Sequence, residues 1–159
     1  MVLLYVKNVI KKPITMDTKN RTIKFRAKRK RDGVWVYGLE NPEKSNELTL
    51  GQFWNQVADG LLDKITVMQY TGLKDLNGIE IYEGDILGEN TNEEKWKSGE
   101  SERIVVEYDN DLTRFLCIFY TVFGGEGYSG RTKEQQLCEY ILNEWYVIGN
   151  EFENKELLK

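Results

Sequence analysis

Short apolar–polar alternations separated by turn residues recur along most of this chain, and they limit it to a mainly β fold. From Ile23 to Ala27 every second residue is apolar, which is the pattern of a half-buried strand. The turn pair Asp32-Gly33 follows, and the apolar residues 34–37 come directly after it. These residues therefore predict a β-hairpin in the first third of the chain.

The same pattern predicts further strands, each bounded by Gly, Asn or Asp. They cover residues 65–70, 79–81, 103–108, 114–123 and 145–148. Asn77-Gly78 predicts a tight hairpin turn of type I′, in which both central residues take a positive φ. About seven short strands separated by turns are typical of a barrel or a sandwich. The predicted fold class is mainly β: a small barrel-like or sandwich β fold with one or two short helices.

Two segments carry helix signals. The first has apolar residues at intervals of three and four, which lines one face of a helix. These residues are Leu50, Phe53, Trp54, Val57 and Leu61. Thr49 with Gln52 predicts a capping box at the start of this helix, and Gly60 predicts its end. Thr132 with Gln135 predicts a second, short helix that carries Leu137 and Ile141.

The pattern divides the chain into three parts. Residues 1–20 follow no consistent pattern, and we expect an N-terminal extension that is disordered or loosely attached to the core. Residues 21–62 are predicted to form the N-terminal β-hairpin plus helix. Residues 63–159 are predicted to form a β-barrel-like C-terminal part, either in one compact unit with residues 21–62 or as a second small subdomain.

Histidine is absent from all 159 residues. This removes Ser-His and Cys-His nucleophile pairs, His-containing zinc sites and the usual general base near neutral pH. Cys117 and Cys138 are expected to be reduced thiols in or near the core. Glu80, Glu83 and Asp85 cluster in sequence and could hold Mg²⁺, but 26 acidic residues produce such clusters by chance. We expect no enzyme activity, no catalytic residue, no metal and no cofactor, and a metal-dependent enzyme is the least favoured alternative.

Positive charge is concentrated near the start of the chain. Residues 1–40 carry a net charge of +8 and the remaining residues carry -12. A cationic hairpin could contact the phosphates of a nucleic acid. The candidate residues are Lys24, Arg26, Lys28, Arg29, Lys30 and Arg31. Trp35 is either a stacking platform for bases or a core residue. The alternative is a strand face that balances the acidic remainder of this protein or of a neighbouring subunit.

Four further segments carry a recognisable motif. They are Gln69–Asp75, Asn77-Gly78, Glu80–Ile86 and Val147–Asn154, and Ile23–Ala27 precedes them. Together they resemble the YopX family of phage and prophage proteins, from about Arg21 to Leu158. The resemblance implies a β-rich fold and a phage or prophage origin in a bacterial host. It brings no established activity and no catalytic residue to carry over.

The motif residues also have a structural interpretation. Gly72, Gly78 and Gly84 are expected at backbone positions that side chains disfavour. Asp85 is expected to accept hydrogen bonds from backbone N–H groups at the corner that it forms with Glu83 and Gly84.

The function expected from these observations is binding. The apolar runs are far shorter than the roughly 20 residues of a membrane span, and Met1–Val6 lacks the order of a secretory signal. We therefore expect a protein of the bacterial cytosol with no membrane partner. The favoured function is a non-enzymatic phage or prophage accessory protein that acts by protein–protein interaction or self-assembly. The alternative is a nucleic-acid-binding protein that uses the basic hairpin at residues 24–31.

Overall fold

The computed structural model describes residues 22–89, 102–122, 129–137 and 145–158, and these ranges contain ten strands and one α-helix. The strands are β1 (Phe25–Lys28), β2 (Trp35–Leu39), β3 (Glu47–Thr49), β4 (Met68–Lys74), β5 (Glu80–Tyr82), β6 (Asp85–Gly88), β7 (Glu102–Asp109), β8 (Arg114–Val122), β9 (Ser129–Gln136) and β10 (Tyr146–Asn150). The helix α1 spans Leu50–Ala58. The predicted extension at residues 1–20 and Cys138 lie outside the described residues.

The ten strands form two five-stranded sheets. The order is β3-β2-β1-β4-β5 in the first sheet and β10-β6-β7-β8-β9 in the second. The pairing of β2 with β3 is parallel, whereas the other pairings are antiparallel. The mainly β prediction is therefore confirmed, with a sandwich-like arrangement of two sheets. Within the described ranges, no helix has the length and apolar character that crossing a bilayer requires.

The predicted first hairpin and the predicted helix are both present. Thr49 accepts a hydrogen bond from the Gln52 backbone (3.3 Å), and the Gln52 side chain accepts one from the Thr49 N–H (3.0 Å). At the other end Gly60 has a φ of +72°. The N–H groups of Gly60 and Leu61 donate to carbonyls of the last helical turn, at 3.1 and 2.9 Å. This arrangement is a Schellman cap, which explains why the helix ends where its glycine predicts.

The helix packs on the first sheet through Phe53. This side chain is fully buried, together with Ala27, Val36 and Leu62. Gly38 of β2 lies directly beneath it: a Cβ at this position would approach the Phe53 ring to 2.5 Å. The other predicted aromatic of the helix face is 43% exposed, because Trp54 lies at the edge of this contact.

A second core lies against the second sheet. Its buried residues are Ile81, Leu87, Ile104, Val106, Phe115, Cys117, Phe119, Leu137 and Trp145. The prediction of a buried thiol is confirmed for Cys117. Ile81 belongs to the first sheet by pairing but packs in this core, so the two sheets share buried apolar surface.

Two predictions of helix and strand bounds were wrong. Residues 129–136 form strand β9 and not the start of a helix, since they pair with β8 on both sides of a bulge at Thr132. This pairing supplies backbone partners that outweigh the capping signal of Thr132 and Gln135; Ile141 lies outside the described residues. The strand predicted to begin at Ile65 begins at Met68, because Asp63 accepts the N–H of Ile65 and starts a 3₁₀ turn.

Candidate functional site

Three of the six predicted phosphate-contact residues form ion pairs with carboxylates that are distant in the sequence. Alternation along β1 places Lys24, Arg26 and Lys28 on one face of the strand. The pairs are Lys24 Nζ–Glu80 Oε2 (2.7 Å), Arg26–Asp85, and Lys28 Nζ–Glu153 Oε1 (2.6 Å). We term this row the charged seam. Its geometry matches the alternative in which the strand face balances acidic residues of the same protein.

The central pair of the seam is buried. The Asp85 side chain is 1% exposed and the Arg26 side chain 12%. Asp85 also accepts the backbone N–H of Tyr82 at 2.8 Å, as predicted for the corner. The guanidinium lies over the rings of Trp35 and Tyr82, 4.7 and 4.4 Å from their centroids. Arg26 is therefore held by a carboxylate at one end and by two aromatic faces along its plane.

Burial governs the protonation of Asp85. It raises the pKa of this carboxyl from 3.8 to about 6, even though Arg26 and the Tyr82 N–H both act to lower it. The charge of the nearby Asp75 carboxylate adds to the increase. The seam therefore contains a buried acid that titrates well above the usual range for aspartate.

Glu153 and its partners form one end of the seam. Trp35 Nε1 donates to Glu153 Oε2 at 3.2 Å, and Asn150 Nδ2 donates to the same oxygen at 2.8 Å. Burial acts to raise the pKa of Glu153, but hydrogen bonds from Lys28, Asn150 and Trp35 outweigh it and hold the pKa below its ordinary value. Lys28 also lies over the Trp35 ring, 5.4 Å from its centroid. The predicted stacking platform is thus half-buried and covered by two cations of the seam.

The other end of the seam involves Lys24, Glu80 and Tyr82. The Tyr82 hydroxyl donates to Glu80 Oε2 at 2.8 Å, the same oxygen that Lys24 contacts. Burial acts to raise the pKa of Glu80, but the bonds from Lys24 and Tyr82 outweigh it and keep the pKa low. Two of the three carboxylates considered for Mg²⁺, Glu80 and Asp85, are therefore engaged by cations of the charged seam.

The third of these carboxylates, Glu83, lies in a different environment. Burial raises its pKa, and the charges of Glu151 and Glu107 raise it further. In the parts of the chain that the structure describes, no group of three or more acidic or cysteine side chains is arranged to hold a metal ion.

The corner between β5 and β6 joins the two sheets. The N–H of Glu83 donates to Gln69 of β4 at 2.9 Å, and the N–H of Gly84 donates to Val106 of β7 at 2.7 Å. The Gly84 carbonyl accepts the N–H of Glu151 at 2.9 Å. Gly84 has a φ of +75°, and positive φ is confirmed for all three motif glycines: Gly72, Gly78 and Gly84.

A second contact between the sheets comes from Asp75, which is 6% exposed. Its Oδ1 accepts the N–H groups of Asn77 and Ile79 at 2.9 and 2.8 Å, and its Oδ2 accepts the N–H of Val147 in β10 at 3.0 Å. The type I′ prediction for this turn was wrong, because Gly78 has a positive φ and Asn77 does not. The Asp75 side chain supplies the turn contacts instead.

Replacing Asp75 with Ala is expected to lower the free energy of unfolding by about 3 kcal/mol, since three backbone N–H groups lose a charged acceptor. Urea unfolding measures this loss as a lower midpoint at an unchanged m-value. Asp63→Ala is the matched control, because Asp63 accepts one N–H at the start of an exposed turn. Its expected cost is about 1 kcal/mol. Equal losses in the two variants would contradict a bridging role for Asp75.

The stability of the protein is expected to fall as pH rises from about 4 to about 7. A carboxyl whose pKa is higher in the folded state binds more protons there than in the unfolded chain, so raising the pH favours unfolding. Asp85, Glu83 and Glu151 all have raised pKa values, and Asp85 contributes at most about 3 kcal/mol. Glu80 and Glu153, with lowered pKa values, act with the opposite sign below about pH 4.5.

Urea unfolding at several pH values measures this dependence in the wild type and in Asp85→Asn. The amide does not titrate, so the decline between about pH 4 and 7 should be shallower in the variant. The prediction fails if the free energy of unfolding of the wild type rises between about pH 4 and 7 and changes equally in Asp85→Asn. The buried acid would then not control the pH dependence of stability.

The other three predicted basic residues lie at the tip of the first hairpin. Arg29 and Arg31 contact the same Asp32 oxygen at 2.9 and 3.3 Å. The hydrogen bond from Arg29 lowers the pKa of Asp32 to about 2, so this carboxylate stays ionised. Lys30 is exposed, and its backbone N–H donates to Leu61 beyond helix α1 at 3.0 Å. One carboxylate thus lies among three cations at this tip.

A groove separates the hairpin tip from the end of helix α1. Its volume is about 560 Å³. We term it the basic groove, and it is lined by Arg29, Lys30, Arg31, Gln56, Gly60 and Leu61. Leu61 is 55% exposed, although its helical spacing predicts a core residue. Sequence reasoning missed this position because the helix ends three residues before it.

Two five-stranded sheets, joined by a buried ion pair and by a glycine corner, define a small mainly β protein of the sandwich-like class. The motif segments supply these junctions. The chain belongs to the YopX protein family, whose sequence model matches residues 24–159, and the resemblance noted above is therefore confirmed. Comparison with curated proteins finds no relative that matches this chain.

Proposed function

We propose that this chain is a non-enzymatic accessory protein of a phage or prophage that acts by binding another protein in the bacterial cytosol. The observation that carries this proposal is the basic groove, where Arg29, Lys30 and Arg31 lie beside the exposed side chain of Leu61. Arginine beside an exposed apolar side chain is typical of the surfaces that proteins use to bind one another.

The engagement of the carboxylates supports a binding role over an enzymatic one. Glu80 and Asp85 each form an ion pair with a cation of the charged seam. A general base or a metal ligand needs an accessible oxygen near the reacting group. Asp85 is 1% exposed. Glu80 is 31% exposed, but its Oε2 is engaged by both Lys24 and Tyr82.

The seam also favours a protein partner over a nucleic acid. Lys24, Arg26 and Lys28 each pair with a separate carboxylate of the same chain. Arg29 and Arg31 share Asp32, so five of the six predicted phosphate contacts already have an acidic partner. Binding of single-stranded nucleic acid relies on open aromatic faces, and the Trp35 ring is covered by Arg26 and Lys28.

A comparison of co-purifying proteins tests the proposal. The tagged chain and the double variant Lys30→Glu/Arg31→Glu are produced in a bacterial host with an induced prophage, and the recovered proteins are quantified. Lys74→Glu is the matched control, because Lys74 is an exposed cation on β4 away from the groove. We expect a protein that is recovered with the wild type and the control, is depleted with the double variant, and rebinds in purified form.

Identical recovery with all three proteins would contradict a role for the groove. Labelled single- and double-stranded DNA and RNA provide the other arm of the test. Nucleic-acid binding that weakens with salt and is lost in the double variant would replace the protein-binding proposal with the nucleic-acid alternative.

A further inference from the structure

The chemistry of the basic groove also indicates the kind of segment that it binds. We infer that the groove binds an acidic protein segment that carries one apolar side chain, with carboxylates on Arg31 and Lys30 and the apolar side chain on Leu61. This inference rests on the proposed function, because it names the chemistry of the partner at the same surface.

The charges of the groove are arranged for an external carboxylate. Arg29 holds Asp32 through Nε and Nη2, at 3.0 and 2.9 Å. Arg31 reaches the same carboxylate through Nε at 3.3 Å, and its side chain is 73% exposed. The two terminal amino groups of Arg31 are therefore accessible for a bidentate contact with a second carboxylate. Lys30, which is also exposed, adds a further cation beside it.

The apolar part of the groove is held in place by the backbone. The N–H of Leu61 donates to Gln56 at 2.9 Å, and its carbonyl accepts the N–H of Lys30 at 3.0 Å. The exposed Leu61 side chain is thus presented from a fixed position, which reduces the ordering cost of binding.

The size of the groove suits a short segment. A volume of about 560 Å³ lies within the range of sites that hold a small ligand or a few side chains. Gly60 lines the groove without a side chain, and a Cβ added there would lie 3.7 Å from Lys30 Nζ. The Lys30 ammonium therefore lies close to Gly60, beside the groove that Leu61 also lines.

Two other occupants would use the groove differently. A nucleic acid would use the cations and gain little from Leu61. A second copy of this chain could also approach, since the residues after position 40 carry a net charge of -12. An acidic segment with an apolar residue would contact both the cations and Leu61. The observations therefore favour this occupant.

Fluorescence anisotropy with a labelled synthetic peptide tests the inference. The probe has Asp and Glu residues on both sides of a single Leu, and its matched peptide has Ser in place of that Leu. We expect binding of the Leu peptide that weakens with salt. Lys30→Glu/Arg31→Glu is expected to weaken it at least about tenfold and Leu61→Ser about fivefold, whereas Lys74→Glu should leave it unchanged. The substituted side chains are exposed, and thermal midpoints check that the variants stay folded.

Several outcomes would overturn the inference. These are no binding of the Leu peptide, equal binding of the Ser peptide, or tighter binding of an oligonucleotide that Leu61→Ser does not affect. Sedimentation that detects a dimer of the wild type, dissociated by the same substitutions, would assign the groove to a second copy. If a co-purifying protein depends on the groove while the peptides do not bind, the inference fails and the proposed function stands.

Discussion

Arg26→Met is expected to lower the free energy of unfolding by about 3–5 kcal/mol, which would be the largest effect of any single substitution in the charged seam. The variant leaves Asp85, which is 1% exposed, without its cation, so this group must either stay charged in the core or take up a proton, and both cost stability. It also removes the guanidinium from between the rings of Trp35 and Tyr82. Urea unfolding at neutral pH measures the loss.

A double-mutant cycle separates the ion pair from the packing of the arginine stem. Asp85→Asn keeps an acceptor for the Tyr82 N–H and removes the charge. Arg26→Met/Asp85→Asn should therefore be more stable than the sum of the single losses predicts, by at least about 1 kcal/mol. Arg29→Met is the matched control, because the Arg29–Asp32 pair lies at the exposed hairpin tip. Arg29→Met is expected to lower the free energy of unfolding far less than Arg26→Met does. Equal losses in the two variants would rule out a special role for the buried pair.

Gly84→Ala is expected to destabilise the protein by about 2–4 kcal/mol, from a left-handed backbone and from overpacking. Gly84 has a φ of +75°, and an added Cβ would lie 2.7 Å from Glu151 Oε1 and 2.8 Å from Met68 Cε. These neighbours belong to the junction between the two sheets. Thermal and urea unfolding should show a lower midpoint.

Gly78→Ala is the control for the corner glycine. Gly78 has a similar φ of +80° but no atom within 4 Å of an added Cβ. Only the backbone cost applies there, about 1–2 kcal/mol. A Gly84→Ala variant that is as stable as Gly78→Ala would mean that Glu151 and Met68 move aside at no measurable cost.

The charged seam gives a physical reason for the motif that identifies the family. Three motif segments that are far apart in the chain supply side chains of the seam. They are Ile23–Ala27, which carries two of its cations, and Glu80–Ile86 and Val147–Asn154, which carry its carboxylates. Asp75 ties a fourth segment to β10 through Val147. These residues build the junction between the sheets, and the basic groove that we propose as a binding surface lies outside the motif.

Much of the local structure could be predicted from the sequence because its causes are local. The alternation from Ile23 to Ala27 predicts strand β1, and the Thr49–Gln52 capping box predicts the start of helix α1. Turn residues mark the ends of the strands, as Gly78 does between β4 and β5. In each case the atoms that decide the conformation lie within a few residues of one another.

The candidate site was predicted only in part. Six cations were singled out together, but the structure places three in the charged seam and three beside the basic groove. Their separation depends on carboxylates that are 56 and 59 residues away from Lys24 and Arg26. No sequence pattern indicates which acid meets which base, since any of the 26 acidic residues could pair with them.

By itself, the sequence determined the mainly β class, the first hairpin, the capped helix and the family, because each depends on short-range patterns or on a specific motif. Only the tertiary structure decided that residues 129–136 form a strand, since β8 supplies their partners. It also decided that Leu61 is exposed beside Lys30 and that Asp85 is buried against Arg26. Burial and charge pairing are properties of chain segments that meet in space, and the distances between these segments are set by the packing of the two sheets.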